Sequence, residues 1–215
     1  MSDDIVSARM NYERGELDAA SIDANPFAQF GVWFDEARDA DIREPHAMTL
    51  ATADGAGHPA ARTVLLRGWD ERGFVFFTNY RSRKSQEIAA KPLAALLFYW
   101  SALERQIRIE GVVAQIDPAE SDAYFASRPR GHRLSAWASP QSSPVRDRAV
   151  LETEMLECER TYAGIDVPRP SFWGGYRVQP ARFEFWQGRP NRVHDRLAYE
   201  RTAETGAWSI VRLAP

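Results

Sequence analysis

One cysteine, Cys158, stands among the 215 residues, so no disulfide can close within the chain and no cysteine-based zinc site can form. No apolar stretch is long enough to span a bilayer. Met1 to Met10 carries Asp3 and Asp4 and lacks a long apolar run, unlike a secretory leader. A reducing, cytoplasmic setting without a membrane partner is therefore expected. An excess of basic charge is missing too: the net charge is -3, which gives no electrostatic reason for a nucleic-acid partner. The G-x-G-x-x-G, P-loop and H-E-x-x-H patterns are absent, removing the commonest nucleotide and zinc signatures. No metal is expected. No repeat, low-complexity block or linker divides the chain.

What is present in quantity is aromatic: seven Trp, seven Tyr and eleven Phe. Such rings suit β-surfaces and sites that bind ring systems, although core packing accounts for most of them. Residues 1–24 are polar and predict a mobile arm with one helical turn. Asn25-Pro26 then caps a helix whose Phe27, Phe30, Phe34 and Ala37 recur at helical spacing to about Asp39. Strands are predicted at Met48 to Thr52, Arg62 to Trp69 and Phe74 to Thr78. A short helix follows over Ser82 to Lys91. Leu93 to Trp100 is a continuous apolar run, expected as a strand buried on both faces. Arg105 to Ile116 alternates, with Ile107, Ile109 and Val113 on one parity.

Asp117-Pro118 opens a helix to about Ser127. Another is predicted from Ser143-Pro144, with Leu151, Met155, Cys158 and Tyr162 on one stripe and Gly164 as the stop. The last fifty or so residues return to strands: Phe172 to Val178, Arg182 to Trp186, Arg192 to Arg201, and Trp208 to Leu213 after a Glu204-Thr205-Gly206 turn. Mostly antiparallel strands with inserted helices point to a β-barrel of the α+β class, one domain over 25–215. Cys158, Met48 and Met155 suit the core, and His46 and His58 suit the surface.

Four segments set cations beside aromatics at predicted strand ends. In Arg62-Thr63-Val64-Leu65-Leu66-Arg67, strand parity puts Arg62 and Arg67 on opposite faces. Thr78 to Lys84 holds Arg81, Arg83 and Lys84 beside a helix N-terminus, either a phosphate site or a solvated basic turn. Tyr124 to Arg133 offers Arg128, Arg130 and Arg133 with a phenol, a set able to grip phosphate. In Arg192-Val193-His194-Asp195-Arg196, a strand would aim two guanidiniums and an imidazole at one spot. Those cations disfavour one another unless an anion lies between them.

Taken with Ser171-Phe172-Trp173-Gly174-Gly175-Tyr176-Arg177-Val178, Glu184-Phe185-Trp186-Gln187-Gly188 and the terminal Arg212-Leu213-Ala214-Pro215, these segments resemble the pyridoxamine 5'-phosphate oxidase family. The resemblance is nearly collinear from Asn25 to Pro215, with a fainter match at Arg9 to Tyr12. It implies a split β-barrel with peripheral helices, and a homodimer with FMN at the subunit interface. It also implies oxidation of pyridoxamine or pyridoxine 5'-phosphate by O2 to pyridoxal 5'-phosphate and H2O2. On that resemblance Arg62, Thr63, Val64, Leu65, Leu66, Arg67, Phe77, Thr78, Arg83, Lys84, Gln106, Gln141, Ser142, Trp186 and Arg196 bind the flavin. Arg67, Tyr124, Arg128 and His132 hold the substrate phosphate. Arg192 and His194 lie over the substrate ring as the catalytic pair, while Arg9 and Tyr12 close over the site as a lid.

Two positions depart from the family pattern. Arg67 stands where the family has Lys, exchanging a compact ammonium for a planar fork. His132 stands where the family has Ser, and its imidazole adds charge when protonated. Substrate binding is then expected to weaken as the pH rises through the His132 titration. The alternative functions are a split-barrel flavin reductase, which would not need Arg128, Arg192 and His194, and a carrier of flavin or pyridoxal phosphate without turnover.

Overall fold

The computed structural model describes residues 11–202 and 206–215. Its elements are α1 (Pro26–Asp39), β1 (Ala47–Ala53), β2 (Pro59–Leu65), β3 (Gly68–Asp70), β4 (Gly73–Asn79), α2 (Arg83–Ala90) and β5 (Leu93–Trp100). Then follow β6 (Arg105–Gln115), α3 (Pro118–Ser127), α4 (Arg130–Ala138), α5 (Arg148–Thr161), β7 (Trp173–Gln187), β8 (Asp195–Arg201) and β9 (Trp208–Arg212). The strands hydrogen-bond in the order β2-β1-β5-β6-β7-β4-β3, with β8 pairing both β7 and β9. The pairs β3–β4, β4–β7, β7–β8 and β8–β9 are antiparallel. This is the α+β, mainly antiparallel class of the split barrel. No helix among the described residues is long and apolar enough to cross a membrane.

Contacts gather the chain into two compact units interleaved along the sequence: 1–50, 95–111 and 180–215 in the first, and 51–94 and 112–179 in the second. The first has an aromatic core under α1. Asn25 accepts the Phe27 N–H at 2.9 Å and Pro26 takes the first turn, so the helix starts where the sequence places it. Its buried stripe meets the strands ring to edge: Phe27 on Phe183, Phe30 on Phe98, Trp33 on Phe185 and Phe34 on Trp100. Burying each such side chain contributes roughly 1.5–3 kcal/mol, which holds α1 on its strands. Among the described residues of the arm, 11–24, there is a turn at 19–21, and the expected helical turn is not among them; residues 1–10 lie outside the described residues. Leu17 is buried, and the Tyr199 hydroxyl donates to the Asp23 carbonyl at 2.6 Å.

In the second unit, Phe76 stacks on Tyr176, and Phe125, Leu134, Val167 and Trp173 form a further cluster. Met155 and Cys158 of α5 and Tyr162 at its C-cap pack against that cluster, three of the four residues on the predicted stripe. Gly174 and Gly175 begin β7 where nothing larger fits: a Cβ on Gly174 would lie 2.2 Å from the Tyr80 hydroxyl, and one on Gly175 would lie 2.4 Å from Ile116.

Several boundaries differ from the sequence reading. The strand expected over Arg62 to Trp69 is two, β2 and β3, because the ladder lapses at Leu66-Arg67. The two strands expected on either side of Pro180 are one, β7. Pro180 falls between the register with β4, which ends at Val178, and the register with β8, which opens at Arg182. Helix α5 starts at Arg148, four residues after Pro144, because Asp147 caps it through the Val150 N–H. Helix α4 had no counterpart in the sequence reading, since Pro129 and Gly131 look like loop residues. Strand β5 is not buried on both faces: Leu93 and Tyr99 are exposed while Ala94, Leu96, Phe98 and Trp100 are buried. Strand β8 begins at Asp195 and not at Arg192, and the predicted 204–206 turn lies largely outside the described residues.

Candidate functional site

Within the second unit a cavity of about 610 Å³ opens among β2, β4, α3 and α4. Arg62, Thr63, Val64 and Leu65 reach it from β2, and Phe77 and Thr78 from β4. Lys84 comes from the first turn of α2, Tyr124 and Ser127 from α3, and Arg128 and Pro129 from the link to α4. His132, Gln141 and Trp173 complete the lining. Arg67 lines it as well, with Thr63 and Leu65 of its own parity, so residues of both parities of this segment reach the cavity. Strand β2 ends at Leu65, and beyond it the Arg67 N–H donates to the Val75 carbonyl at 2.8 Å.

Electrostatics distinguishes this cavity. Arg62, Arg67, Lys84 and Arg128 line it, and no Asp or Glu does. Arg62 is anchored from behind by the buried Glu87 carboxylate at 2.7 Å. Burial pushes the Glu87 carboxyl up, but bonds from Thr52, Arg62 and Arg83 outweigh that and hold it below the usual carboxylate range. Lys84 has no such partner: its ammonium donates to Gln141 at 2.7 Å, Thr78 at 3.1 Å and Ser82 at 3.3 Å, all neutral. Burial, and then the nearby Arg62 charge, lower its pKa to about 8. Arg128 is also pushed down, chiefly by burial and further by Arg67. Its Nη1 is buried without a hydrogen-bond partner, an arrangement that costs free energy until an acceptor arrives.

An aromatic wall faces these cations. Phe77 and Tyr124 stack with ring centroids 3.8 Å apart, Phe77 and Trp173 at 5.5 Å, and the Arg128 guanidinium lies 4.5 Å from the Trp173 ring centroid. Such a site suits an anion attached to a flat ring.

The first unit brings together a different set. Trp186 on β7 stands opposite Arg196 on β8 in the register. His194 packs on Trp186 with centroids 4.7 Å apart and takes the edge of Tyr12 at 5.6 Å. Its Nδ1 accepts the Arg189 N–H at 3.1 Å, so the neutral ring carries its proton on Nε2. Burial and the Arg192 charge depress its pKa. Arg196 is gripped by the buried Glu184 at 2.9 Å and donates to the Ala214 carbonyl at 2.8 Å. Arg192 does not share a strand face with His194 and Arg196. It lies in the turn Pro190–Arg192, where Asn191 and Arg192 adopt positive φ of 56° and 63°.

The remaining predicted residues fall elsewhere. Leu66 is buried away from the cavity, and Arg83 is two-thirds exposed on Glu87. Ser142 is exposed with φ 72°, and Gln106 is half-buried on β6. Arg9 lies outside the described residues. Sequence reasoning missed Glu87, Glu184, Glu104, Ser127, Pro129 and Trp173 as parts of these constellations. The spacing of Arg83 and Glu87 was a usable signal for Glu87, as was a carboxylate set between Phe183 and Phe185 for Glu184. No group of His, Cys, Asp and Glu able to hold a metal occurs among the described residues.

Residues 34–162 match the family model described as Pyridoxamine 5'-phosphate oxidase, and residues 173–215 match a Pyridoxine 5'-phosphate oxidase C-terminal dimerisation region. The chain is 56% identical over 211 residues to a pyridoxine/pyridoxamine 5'-phosphate oxidase of Paraburkholderia phytofirmans, covering 98% of this chain and 99% of that one. It is 57% identical to the protein of the same name from Ralstonia pickettii, with the same coverage. Among solved structures, PhzG from Burkholderia lata, in complex with tetrahydrophenazine-1-carboxylic acid, is similar at a TM-score of 0.86 and 32% identity. That likeness covers 94% of this chain and 100% of that one. An FMN-binding protein of Nostoc punctiforme shares the fold at a TM-score of 0.71 and 19% identity, over 90% of this chain and 100% of that one.

Proposed function

The chain belongs to the pyridoxamine 5'-phosphate oxidase family, and on that premise we propose that it binds FMN and oxidises pyridoxamine or pyridoxine 5'-phosphate with O2 to pyridoxal 5'-phosphate and H2O2. One observation carries this reading: four cations and no carboxylate line a cavity that also has a stacked aromatic wall. The residues present fit a phosphorylated flavin. Lys84 is a half-buried ammonium whose hydrogen-bond partners are all neutral, so a phosphate there would supply the missing counter-charge. Arg62, Thr78 and Gln141 adjoin it as donors or adaptable partners. When bound, FMN supplies the two-electron acceptor for the hydride that leaves C4' of the substrate.

Arg67, Tyr124, Arg128 and His132 hold the substrate phosphate, with the unpartnered Arg128 Nη1 as its first donor. Phe77, Tyr124 and Trp173 exclude water from that side and so strengthen each charge-assisted bond. His194 acts as a donor through Nε2, because its Nδ1 lone pair is engaged by Arg189. It orients the substrate and does not take a proton from it. Arg192 supplies positive charge close to the reacting ring. The match of residues 173–215 to a dimerisation region supports a homodimer as the working form.

The test is a visible absorbance spectrum of the purified protein, before and after pyridoxine 5'-phosphate is added without oxygen. A flavin spectrum that bleaches and returns on aeration is expected. A flavin spectrum indifferent to the vitamin would point to the reductase or carrier alternative. Failure to take up FMN on reconstitution would overturn the reading.

A further inference from the structure

Glu104, in the loop between β5 and β6, adopts a left-handed conformation (φ 56°, ψ 37°) and is only 8% exposed. A long side chain rarely sits there unless its surroundings hold it. Here the surroundings are the arm and the turn after β7, all within the first unit. The Glu104 Oε2 accepts two successive backbone N–H groups, those of Glu13 at 2.8 Å and Arg14 at 3.0 Å. Its own carbonyl accepts the Gly188 N–H at 2.8 Å and the Gln187 side-chain amide at 3.3 Å. Among the described residues no cation pairs with this carboxylate, and its side-chain bonds go to the arm. Bonds to an ionised, nearly buried oxygen are stronger than bonds between neutral groups.

The residue just before that grip is Tyr12. Its ring stands edge-on to Trp186 at 5.7 Å and to His194 at 5.6 Å. Gly188 makes the seat, since a Cβ there would lie 2.7 Å from Tyr12 Cγ and 3.1 Å from Glu104 Cβ. Beyond the grip, Arg189 donates to the Gly15 carbonyl at 2.9 Å and Leu17 N–H to Asp195 at 3.1 Å. These later ties begin at Gly15. Among the described residues, Glu104 is the side chain that holds the two amides following Tyr12, and the Tyr12 side chain itself also bonds Tyr99.

We propose that Glu104 is the latch of the N-terminal arm, a positioning residue that sets Tyr12 against His194 and Trp186 by gripping the two amides that follow it. The consequence for substrate rests on the proposed oxidase reading; the latch itself does not. Glu104 acts through Tyr12 and changes none of the residues that line the cationic cavity.

The test compares holoenzyme carrying Glu104→Ala with holoenzyme carrying Glu104→Gln, whose amide oxygen can still accept both N–H groups. Limited trypsin digestion, with the cut after Arg14 identified by mass spectrometry, reads how often the arm opens. Cleavage there should be roughly tenfold faster in Glu104→Ala, and Glu104→Gln should restore most of the protection. The KM for pyridoxine 5'-phosphate should rise in Glu104→Ala more than kcat falls, with flavin content retained. The His194 ring resonances, which feel the Tyr12 ring, should move in Glu104→Ala and return with Glu104→Gln. Equal cleavage of wild type and Glu104→Ala would overturn the latch. Faster cleavage with unmoved His194 resonances would overturn the positioning role, and that result stands even if the wild type proves inactive on vitamin phosphates. If Glu104→Ala does not fold, Glu13→Pro removes one of the two donors and is read by the same digestion: protection unchanged from wild type would overturn the latch.

Discussion

His194 Nδ1 accepts the backbone N–H of Arg189 at 3.1 Å, closing the turn that leads into β8 and leaving Nε2 as the ring nitrogen free to meet a ligand. A protonated Nδ1 could not accept that bond, so the contact favours the neutral ring.

The expected outcome is a neutral His194 in the Nε2–H form, seen as one protonated and one bare nitrogen in long-range nitrogen–proton correlation spectra. Its folded pKa is depressed from 6.5 by burial first and Arg192 second. Below that value the unfolded chain takes up a proton before the folded one does, so this residue costs stability as the pH falls through the window. Arg192→Met should raise the titration midpoint. An Nδ1–H ring, or a midpoint unmoved in Arg192→Met, would contradict the arrangement.

Lys84, with a pKa of about 8, predicts pH-dependent cofactor affinity. A bound phosphate favours the charged ammonium, so FMN binding should take up a proton above that pH. Affinity should accordingly fall as the pH rises past about 8. Lys84→Met should flatten the profile and weaken FMN binding by roughly tenfold to a hundredfold. Fluorescence titration with FMN across the range measures both.

Arg128 and Arg192 should separate kinetically. Arg128→Ala removes a phosphate donor, so KM for the vitamin phosphate should rise on the order of a hundredfold while FMN content stays near wild type. Arg192→Met should lower kcat far more than it lowers FMN content. Parallel loss of turnover and flavin would remove Arg192 from the catalytic pair.

Gly174 offers a test of packing. Its missing Cβ leaves room for the Tyr80 hydroxyl, 2.2 Å from where the methyl of Gly174→Ala would sit, and for Ser121 Oγ at 3.0 Å. Gly174→Ala should destabilise the protein by about 1–3 kcal/mol in urea unfolding. Pairing it with Tyr80→Phe should recover part of that loss, because the hydroxyl is the group in the way.

Much of this is legible in the sequence. The helix over Pro26–Asp39 follows from Asn25, Pro26 and the phenylalanine spacing, because cap chemistry and a 3.6-residue stripe are local signals. Likewise Asp117-Pro118 marked the start of α3. The break between β2 and β3 at Leu66-Arg67 was not legible, because nothing local to Val64-Leu65-Leu66 marks where pairing stops. The left-handed pair Asn191-Arg192 failed for a related reason. Strand parity assumes extended backbone, and nothing in Pro-Asn-Arg says that two residues leave it. Glu104 was missed because its partners lie far away in sequence, which no spacing rule reaches; Glu87 and Glu184 carried local signals, but their bonds to Thr52 and Arg108 are equally distant.

The carboxylate-free lining of the cationic cavity reaches beyond the enzyme's own chemistry, to the bench. An ammonium with only neutral partners and a guanidinium nitrogen with none will recruit whatever small oxyanion the solution contains. Inorganic phosphate and sulfate then become competitors for the cofactor, and a buffer chosen for convenience sets the apparent FMN affinity. Reconstitution yields, and the fraction of enzyme counted as active, will follow the history of the preparation as much as the sequence that folded it.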